Sequence, residues 1–300
     1  MAESAQTIRP IVVGTDLQPA ARAAADWAAQ RAQYLGLPLL LVTSTPGIPI
    51  PPRTSVYEAM RSPDYLTEVK ARAGRRLEEE AVRLREAHPG VTVDTLVSEG
   101  DAAGVLVDLS RTARFTVIGT HGKPDITARL LGGVAEGVIS NAVGTVVAVP
   151  PGAYHVSGPV VTGIDDPDRA HDVLRIAHTE AQFSKRPLVV LHAWHEAVFG
   201  TPYDVPVLIG ATGAIEGEIR EVMAEALARY HAQFDDVTAT VDVVEGNARD
   251  VLVDRSRSAS SLVIGARGKG GFLGLLLGST SRFVVRHSQC PVIVVRPRPA

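Results

Sequence analysis

One cysteine, few aromatics and no long apolar run set the first limits. Cys290 is the sole cysteine among 300 residues, so neither an intramolecular disulfide nor a cysteine-rich metal centre can form. It sits between a helical pattern and an apolar strand, which suits a small buried filler. Aromatic residues make up 5% of the chain and hydrophobic residues 45%. The cores must therefore be built from Ala, Val, Leu and Ile, as in α/β proteins. With a formal net charge of −3, nothing in the sequence resembles a basic nucleic-acid surface or an acidic tail. No apolar run approaches the ~18–20 residues of a membrane helix. The start, MAESAQTIRP, lacks the basic-then-apolar pattern of a secretory signal. These absences predict a soluble, cytoplasmic protein. Also missing is a G-x4-G-K-[ST] phosphate loop. The G-x-G at Gly268 and Gly270 follows the fourth strand of its half, not the first, so it is a poor dinucleotide fingerprint.

What the chain does contain is an alternation of short apolar runs and helical patterns. PIVVGTD (Pro10–Asp16) reads as a buried strand ending in turn residues. An Ala-rich helix closed by Gly36 follows, then the strand LPLLLVTS, the Pro-rich loop TPGIPIPPRTS and a charged helix over Asp64–Ala87. VTVDTLVSEG (Val91–Gly100) alternates, and Asp101 is placed to cap the next helix. FTVIG, a glycine loop, a helix from about Val134 and TVVAV complete a βαβαβαβαβ order. Strands alternating with helices imply a parallel sheet covered on both faces, and right-handed crossovers make it doubly wound.

After a linker at residues 151–158 the programme restarts. PVVTGID matches PIVVGTD, RPLVVLHAW matches LPLLLVTS, and VTATVDVVEGNARDVLVD matches VTVDTLVSEGDAAGVLVD. Helices are expected over Asp168–Lys185 and Ala214–Phe234. The change of register between the halves falls in the loop–helix region after strand two, where length changes are tolerated. The chain thus reads as two tandem domains, residues 1–150 and 159–300, each a doubly wound five-stranded parallel sheet.

The chemistry is carried by a doubled glycine loop. Gly119, Gly122 and Gly132 have the spacing G-x2-G-x9-G, and so do Gly265, Gly268 and Gly278. Gly265 ends a strand and so lies at the carboxyl edge, where doubly wound sheets bind ligands beside the reversal of strand order. Gly268 lacks a Cβ and is free to take positive φ, letting backbone amides approach a ligand. Gly278 and Ser279 precede a helix whose N-terminus favours an anion. Ser279 and Ser281 offer hydroxyls, and Arg267 and Lys269 offer charge. Asp16 and Asp165 end the first strand of each half, across the crevice, where a carboxylate accepts from ribose hydroxyls or an adenine amine. Each feature has a plainer role open to it: a tight turn for the glycines, a helix cap for Ser279, Asp16 and Asp165, a solvated face for the cations.

Together these residues resemble the universal stress protein family in its tandem form. The resemblance rests on Val13-Gly14-Thr15-Asp16 and Thr162-Gly163-Ile164-Asp165, on the turns Glu99-Gly100-Asp101 and Glu245-Gly246-Asn247, and above all on the two glycine loops. It implies a Rossmann-like fold and binding of ATP, with Mg2+ as a companion. Adenine and ribose would lie by Gly14, Asp16 and Ser44 in one half and by Gly163, Asp165 and Ala193 in the other. Phosphates would be held by Gly119, His121, Gly122, Gly132 and Gly133, and by Gly265, Arg267, Gly268, Lys269, Gly271, Gly278, Ser279, Thr280 and Ser281. It further implies a homodimer or pseudo-dimer paired through last strands, with a protein partner yet to be named.

The halves are unequal. The first has Gly133 and Ala135 where the second has Ser279 and Ser281, and Pro124 and Asp125 where the second has Gly270 and Gly271. Both are expected to bind ATP, the second more tightly, with Ser279 and Ser281 serving phosphate. No matched acid–base pair accompanies the loops. His121 aligns with Arg267, and His192 and His195 flank Trp194 as packing or loop residues. Nucleotide-dependent signalling in the stress response, with no or slow hydrolysis, is the expected role. An ATP-dependent enzyme using the loops after strand two as a lid, and a scaffold with vestigial sites, are the alternatives; turnover rate and the effect of Gly268→Ala separate the three.

Overall fold

The computed structural model describes residues 8–45, 63–120, 131–153, 157–194, 212–230, 232–268 and 277–297. They fall into two compact units, Met1–Tyr154 and His155–Pro297. The expected ligand residues His121, Gly122, Lys269 and Gly271, along with His195, lie outside the described residues.

In the first unit, β1 (Ile11–Gly14), β2 (Leu39–Thr45), β3 (Val93–Glu99), β4 (Phe115–Gly119) and β5 (Val146–Val149) form a sheet in the order β3-β2-β1-β4-β5. All four ladders are parallel, and Ile11 is in register with both Leu39 and Phe115. The central strands are continuous apolar runs because helices cover both faces, and Ile11, Val13, Val117 and Val147 are wholly buried. Helix α1 (Pro19–Leu35) is set by Ala, the strongest helix former, with Pro19 at its first turn and Gly36 closing it at φ 63°. Its Ala24, Ala25, Ala28 and Ala32 face the sheet and are buried. Helix α2 (Pro63–Ala87) is amphipathic and mostly charged outside, with Leu77, Ala81 and Leu84 inward. Helix α3 (Ala102–Ser110) begins at Asp101, whose carboxylate accepts from the amides of Ala103 and Gly104. Helix α4 (Gly133–Asn141) precedes the last strand.

The second unit repeats the plan. Strands β6 (Val160–Gly163), β7 (Leu188–Trp194), β8 (Ala239–Glu245), β9 (Ser261–Gly265) and β10 (Val292–Val295) lie in the order β8-β7-β6-β9-β10, all parallel. The helices are α5 (His171–Ser184), α6 (Thr212–Ala228), α7 (Ala248–Arg255) and α8 (Ser279–His287). Two boundaries differ from the sequence pattern. A 3-10 turn at Pro167–Arg169, capped by the Asp166 carboxylate on the Asp168 amide, delays α5 to His171. Helix α6 stops at Ala228, and Tyr230 and Phe234 beyond it pack on the buried ring of His178 at centroid distances of 5.0 and 5.1 Å. Ring packing wins there over helix continuation.

The duplication extends to single contacts. Buried Ser110 accepts from the Val143 amide and donates to Val107; buried Ser256 does the same with Gln289 and Val253. Gly100 and Gly246, at φ 89° and 151°, make the turns after β3 and β8, a backbone region that glycine alone enters cheaply. Their amides donate to Thr45 and Trp194 at the ends of β2 and β7.

Candidate functional site

Strand order reverses between β1 and β4, and between β6 and β9. Each reversal opens a crevice at the carboxyl edge, beside the N-terminus of α4 or α8. Expected residues that are described come together there from separate stretches of chain, Gly14, Asp16, Ser44, Gly119, Gly132 and Gly133 in the first unit and Asp165 and Gly268 in the second.

In the first unit the ends of β1, β2 and β4, one side of α3 and the first turn of α4 enclose a cavity of about 270 Å³. Gly14, Asp16, Ser44, Gly119, Gly132 and Gly133 all line it, and Thr15 and Thr43 join them. Asp16 is the one ionisable side chain among the described lining residues. Its carboxylate accepts from the Gln18 amide at 3.0 Å, so a local turn accounts for part of its bonding capacity. Leu17 between them is at φ 62°, a left-handed conformation costing a leucine roughly 1–2 kcal/mol. The Ser44 hydroxyl donates to the Gly100 carbonyl at 2.8 Å, tying the end of β2 to the turn after β3.

In the second unit Asp165 follows β6. A Cβ placed on Gly268 would lie 2.6 Å from Asp165 Oδ2. The glycine loop and the acidic residue are therefore in direct apposition, as the sequence reading requires. Of the two reasons expected for glycine, positive φ does not apply, since Gly268 does not adopt it, and the missing Cβ does, though what it makes room for is the Asp165 carboxylate. Gly278 is the N-cap of α8, and its amide donates to the Ala266 carbonyl at 2.7 Å. Ser279 occupies the first helical position, exposed, and makes no capping bond. Ser281 is buried, and its hydroxyl donates to the Gly265 carbonyl at 2.7 Å. That bond locks the end of β9 to the first turn of α8, so Ser281 has a folding role of its own. Ala193 is half-buried near the end of β7. Beside it, His192 Nδ1 lies 2.9 Å from the Ile164 carbonyl; a carbonyl only accepts, so Nδ1 carries the proton.

Gly14 and Gly163 have a packing reason to be glycine. A Cβ on Gly14 would come within 2.6 Å of Leu106, and on Gly163 within 2.9 Å of Leu252. Leu106 comes from α3, which lines the first cavity, and Leu252 from the matching helix α7. The sequence reading missed this, because nothing local marks which helix will lie over a strand end. It also missed Arg296, which follows β10 and is buried. Burial, and then the charge of Arg267, hold its guanidinium below the usual range, at about 10. An arginine directly ending an apolar strand was the signal available.

The first cavity thus joins the Asp16 carboxylate to Gly119 and the uncapped start of α4, and in the second unit the Asp165 carboxylate faces Gly268, near the uncapped start of α8. The first amides of α4 and α8 have no intrahelical acceptor. Such a site can accept hydrogen bonds from hydroxyls or an amine at one end and bind an anion at the other. Among the described residues no group of three His, Cys, Asp or Glu side chains is placed to hold a metal ion, and no helix is long and apolar enough to cross a membrane.

The sequence profile of the universal stress protein family matches residues 7–150 and again 158–296. The chain belongs to the universal stress protein family. A universal stress protein of Mycobacterium tuberculosis strain H37Rv is 32% identical over 299 residues, covering 95% of this chain and 96% of its own length. The fold is also that of a universal stress protein crystal structure from Archaeoglobus fulgidus, with a TM-score of 0.66, 18% identity, and coverage of 97% of this chain and 99% of that one. A universal stress protein solved in complex with cAMP matches 47% of this chain and 98% of its own at 24% identity and a TM-score of 0.33.

Proposed function

We propose that the protein is an ATP-binding universal stress protein, in which each unit holds an adenine nucleotide at its carboxyl-edge crevice. Occupancy would act as a signal in the stress response, through conformation, stability or choice of protein partner. One observation carries the reading: Asp165 Oδ2 lies against the Cβ-less face of Gly268, so the group suited to ribose and adenine faces the turn suited to phosphate. The first unit supports it with a cavity between the same structural parts. In this reading Asp16 and Asp165 accept from the nucleoside. The amides that open α4 and α8, with Arg267 and Ser279, face the phosphates, and any Mg2+ enters as part of the nucleotide complex. A homodimer or pseudo-dimer through last strands, and a cytoplasmic location, complete the proposal.

Signalling rather than catalysis is favoured because hydrolysis needs a positioned water and a base or orienting group, and neither crevice offers a matched pair among its described residues. Two measurements on the full chain test this. Protein denatured after purification should release adenine nucleotide at one or two equivalents. Gly268→Ala should weaken ATP binding in the second unit by about tenfold or more, since its methyl group displaces Asp165. Unchanged ATP affinity in that variant would favour a scaffold with vestigial sites. Multiple turnover on the ~1–100 s⁻¹ scale of phosphoryl-transfer enzymes would replace the proposal with an enzyme.

A further inference from the structure

The second strand of each unit ends in different chemistry. Strand β2 ends Val42-Thr43-Ser44 and β7 ends Leu191-His192-Ala193. Gly14 is in register with Val42, and Gly163 with Leu191, so the two strand ends correspond residue by residue. The match continues past the strands: the amides of Thr15 and Ile164 donate to the Val42 and Leu191 carbonyls at 2.9 and 3.1 Å. His192 therefore stands where the first unit has Thr43. Thr43 lines the first cavity, together with Ser44, Gly14 and Asp16.

His192 is half-buried, and its Nδ1 donates to the Ile164 carbonyl at 2.9 Å. Ile164 directly precedes Asp165. The imidazole thus lies across the ends of β6 and β7, one residue from the carboxylate that faces Gly268. The two ring nitrogens point in different directions, so Nε2 is turned away from that carbonyl. It has no hydrogen-bond partner among the described residues. With the proton held on Nδ1, Nε2 of the neutral ring can only accept. Tying β7 to β6 uses one nitrogen. The other is an acceptor whose direction the fold has fixed.

We propose that His192 is the specificity-determining residue of the second crevice: its Nε2 accepts from the exocyclic amine of a 6-aminopurine and so selects adenine over purines with a 6-oxo group. This rests on the nucleotide reading above and divides its labour, His192 taking the base and Asp165 the ribose. A 6-oxo purine turns an acceptor toward Nε2, so two acceptors meet and neither is satisfied. A site built to receive an N–H rejects the analogue without one more strongly than a pocket that selects by shape.

Calorimetry with ATP and ITP on the full chain tests this, because the two nucleotides differ only on the base edge that carries the amine. The parent chain is Asp16→Ala, which removes the carboxylate of the first cavity and leaves the second crevice to bind. It should bind ATP about tenfold or more tightly than ITP. Adding His192→Asn keeps an N–H for the Ile164 carbonyl and removes the Nε2 acceptor. ATP should then weaken to within about threefold of ITP, with the urea midpoint close to that of the parent. His192→Thr, the residue of the first unit at this register, is the second variant should Asn fold poorly. Its hydroxyl donates as readily as it accepts, so it should level the two nucleotides as well. A His192→Asn or His192→Thr chain that keeps the tenfold preference overturns the proposal and confines His192 to joining the strands. A parent that binds ATP and ITP alike also overturns it. So does a parent that binds neither while the wild type binds ATP, an outcome that leaves the nucleotide reading standing for the first unit. If the wild-type chain binds no adenine nucleotide, the nucleotide reading falls and this inference with it.

Discussion

Ser281 and Gly268 show how residues at the carboxyl-edge crevice serve the fold itself. The Ser281 hydroxyl donates to Gly265 from a buried position, so its proton is committed to the loop. Ser281→Ala should therefore cost about 0.5–1.5 kcal/mol of stability in urea denaturation and change ATP affinity by less than about threefold. A large loss of affinity at unchanged stability would return Ser281 to the phosphate. The first unit tolerates Ala135 at the matched place, itself buried, because an apolar methyl there leaves no orphaned hydroxyl. Glycine was legible as a signal but not in its reasons. Gly14 and Gly163 make room for Leu106 and Leu252, and Gly268 makes room for Asp165. Each neighbour arrives from a distant part of the sequence, so spacing alone could not name it.

At the scale of elements, the helices flanking each sheet are held by different means. In the first unit α1 and α2 are joined by a charge cluster around Glu80, whose side chain is 2% exposed. Arg83 reaches both its oxygens, at 2.7 and 3.1 Å, and Asp26 at 2.8 Å, while Arg22 approaches at 3.5 Å. Hydrogen bonding to Glu80 outweighs partial burial and raises the Arg83 pKa, so the Arg83 guanidinium stays charged. Removing one partner leaves a buried carboxylate underpaired. Arg83→Met should thus destabilise by about 1–3 kcal/mol, and the double variant Glu80→Leu/Arg83→Met should recover much of the loss. Urea midpoints of both variants check this; a double variant worse than the single one would show that the charges themselves hold the helices. In the second unit α5 is instead braced by Tyr230 and Phe234 against His178. That substitution explains the early end of α6. Helical periodicity reported that a helix was present, but where it stopped depended on rings that periodicity does not weigh.

For the whole molecule, the sole cysteine is a reporter. Cys290 is wholly buried, and burial pushes its thiol up to about 12 from an ordinary 9.0. The thiolate is the reactive form, so alkylation at pH 8 requires the second unit to open. Its rate should track that opening, and ligand at a hundredfold excess over Kd should slow it about a hundredfold, equivalent to roughly 2.7 kcal/mol. Labelling as fast in folded as in unfolded protein would contradict the burial. The same thiol gives a sign to pH dependence. Between 9.0 and about 12 the unfolded chain binds fewer protons than the native one, so its contribution to stability falls as pH rises. A thermal scan series over that range, compared with Cys290→Ala, isolates the term.

The chain's periodic pattern by itself determined the parallel α/β architecture and its duplication, because buried parallel strands and their crossover helices leave regular signatures in sequence, while the resemblance to the family lay in the strand-end and glycine-loop motifs. Spacing also placed Asp16, Asp165 and both glycine loops at the carboxyl edge, since strand ends are readable wherever apolar runs stop. Only the tertiary structure decided what each glycine makes room for, that Ser281 bonds within the loop, and that Arg267 and Arg296 emerge side by side. Those are contacts between strands and helices far apart in the chain. Local propensity does not encode them; the register of the sheet and the packing of helices on it do.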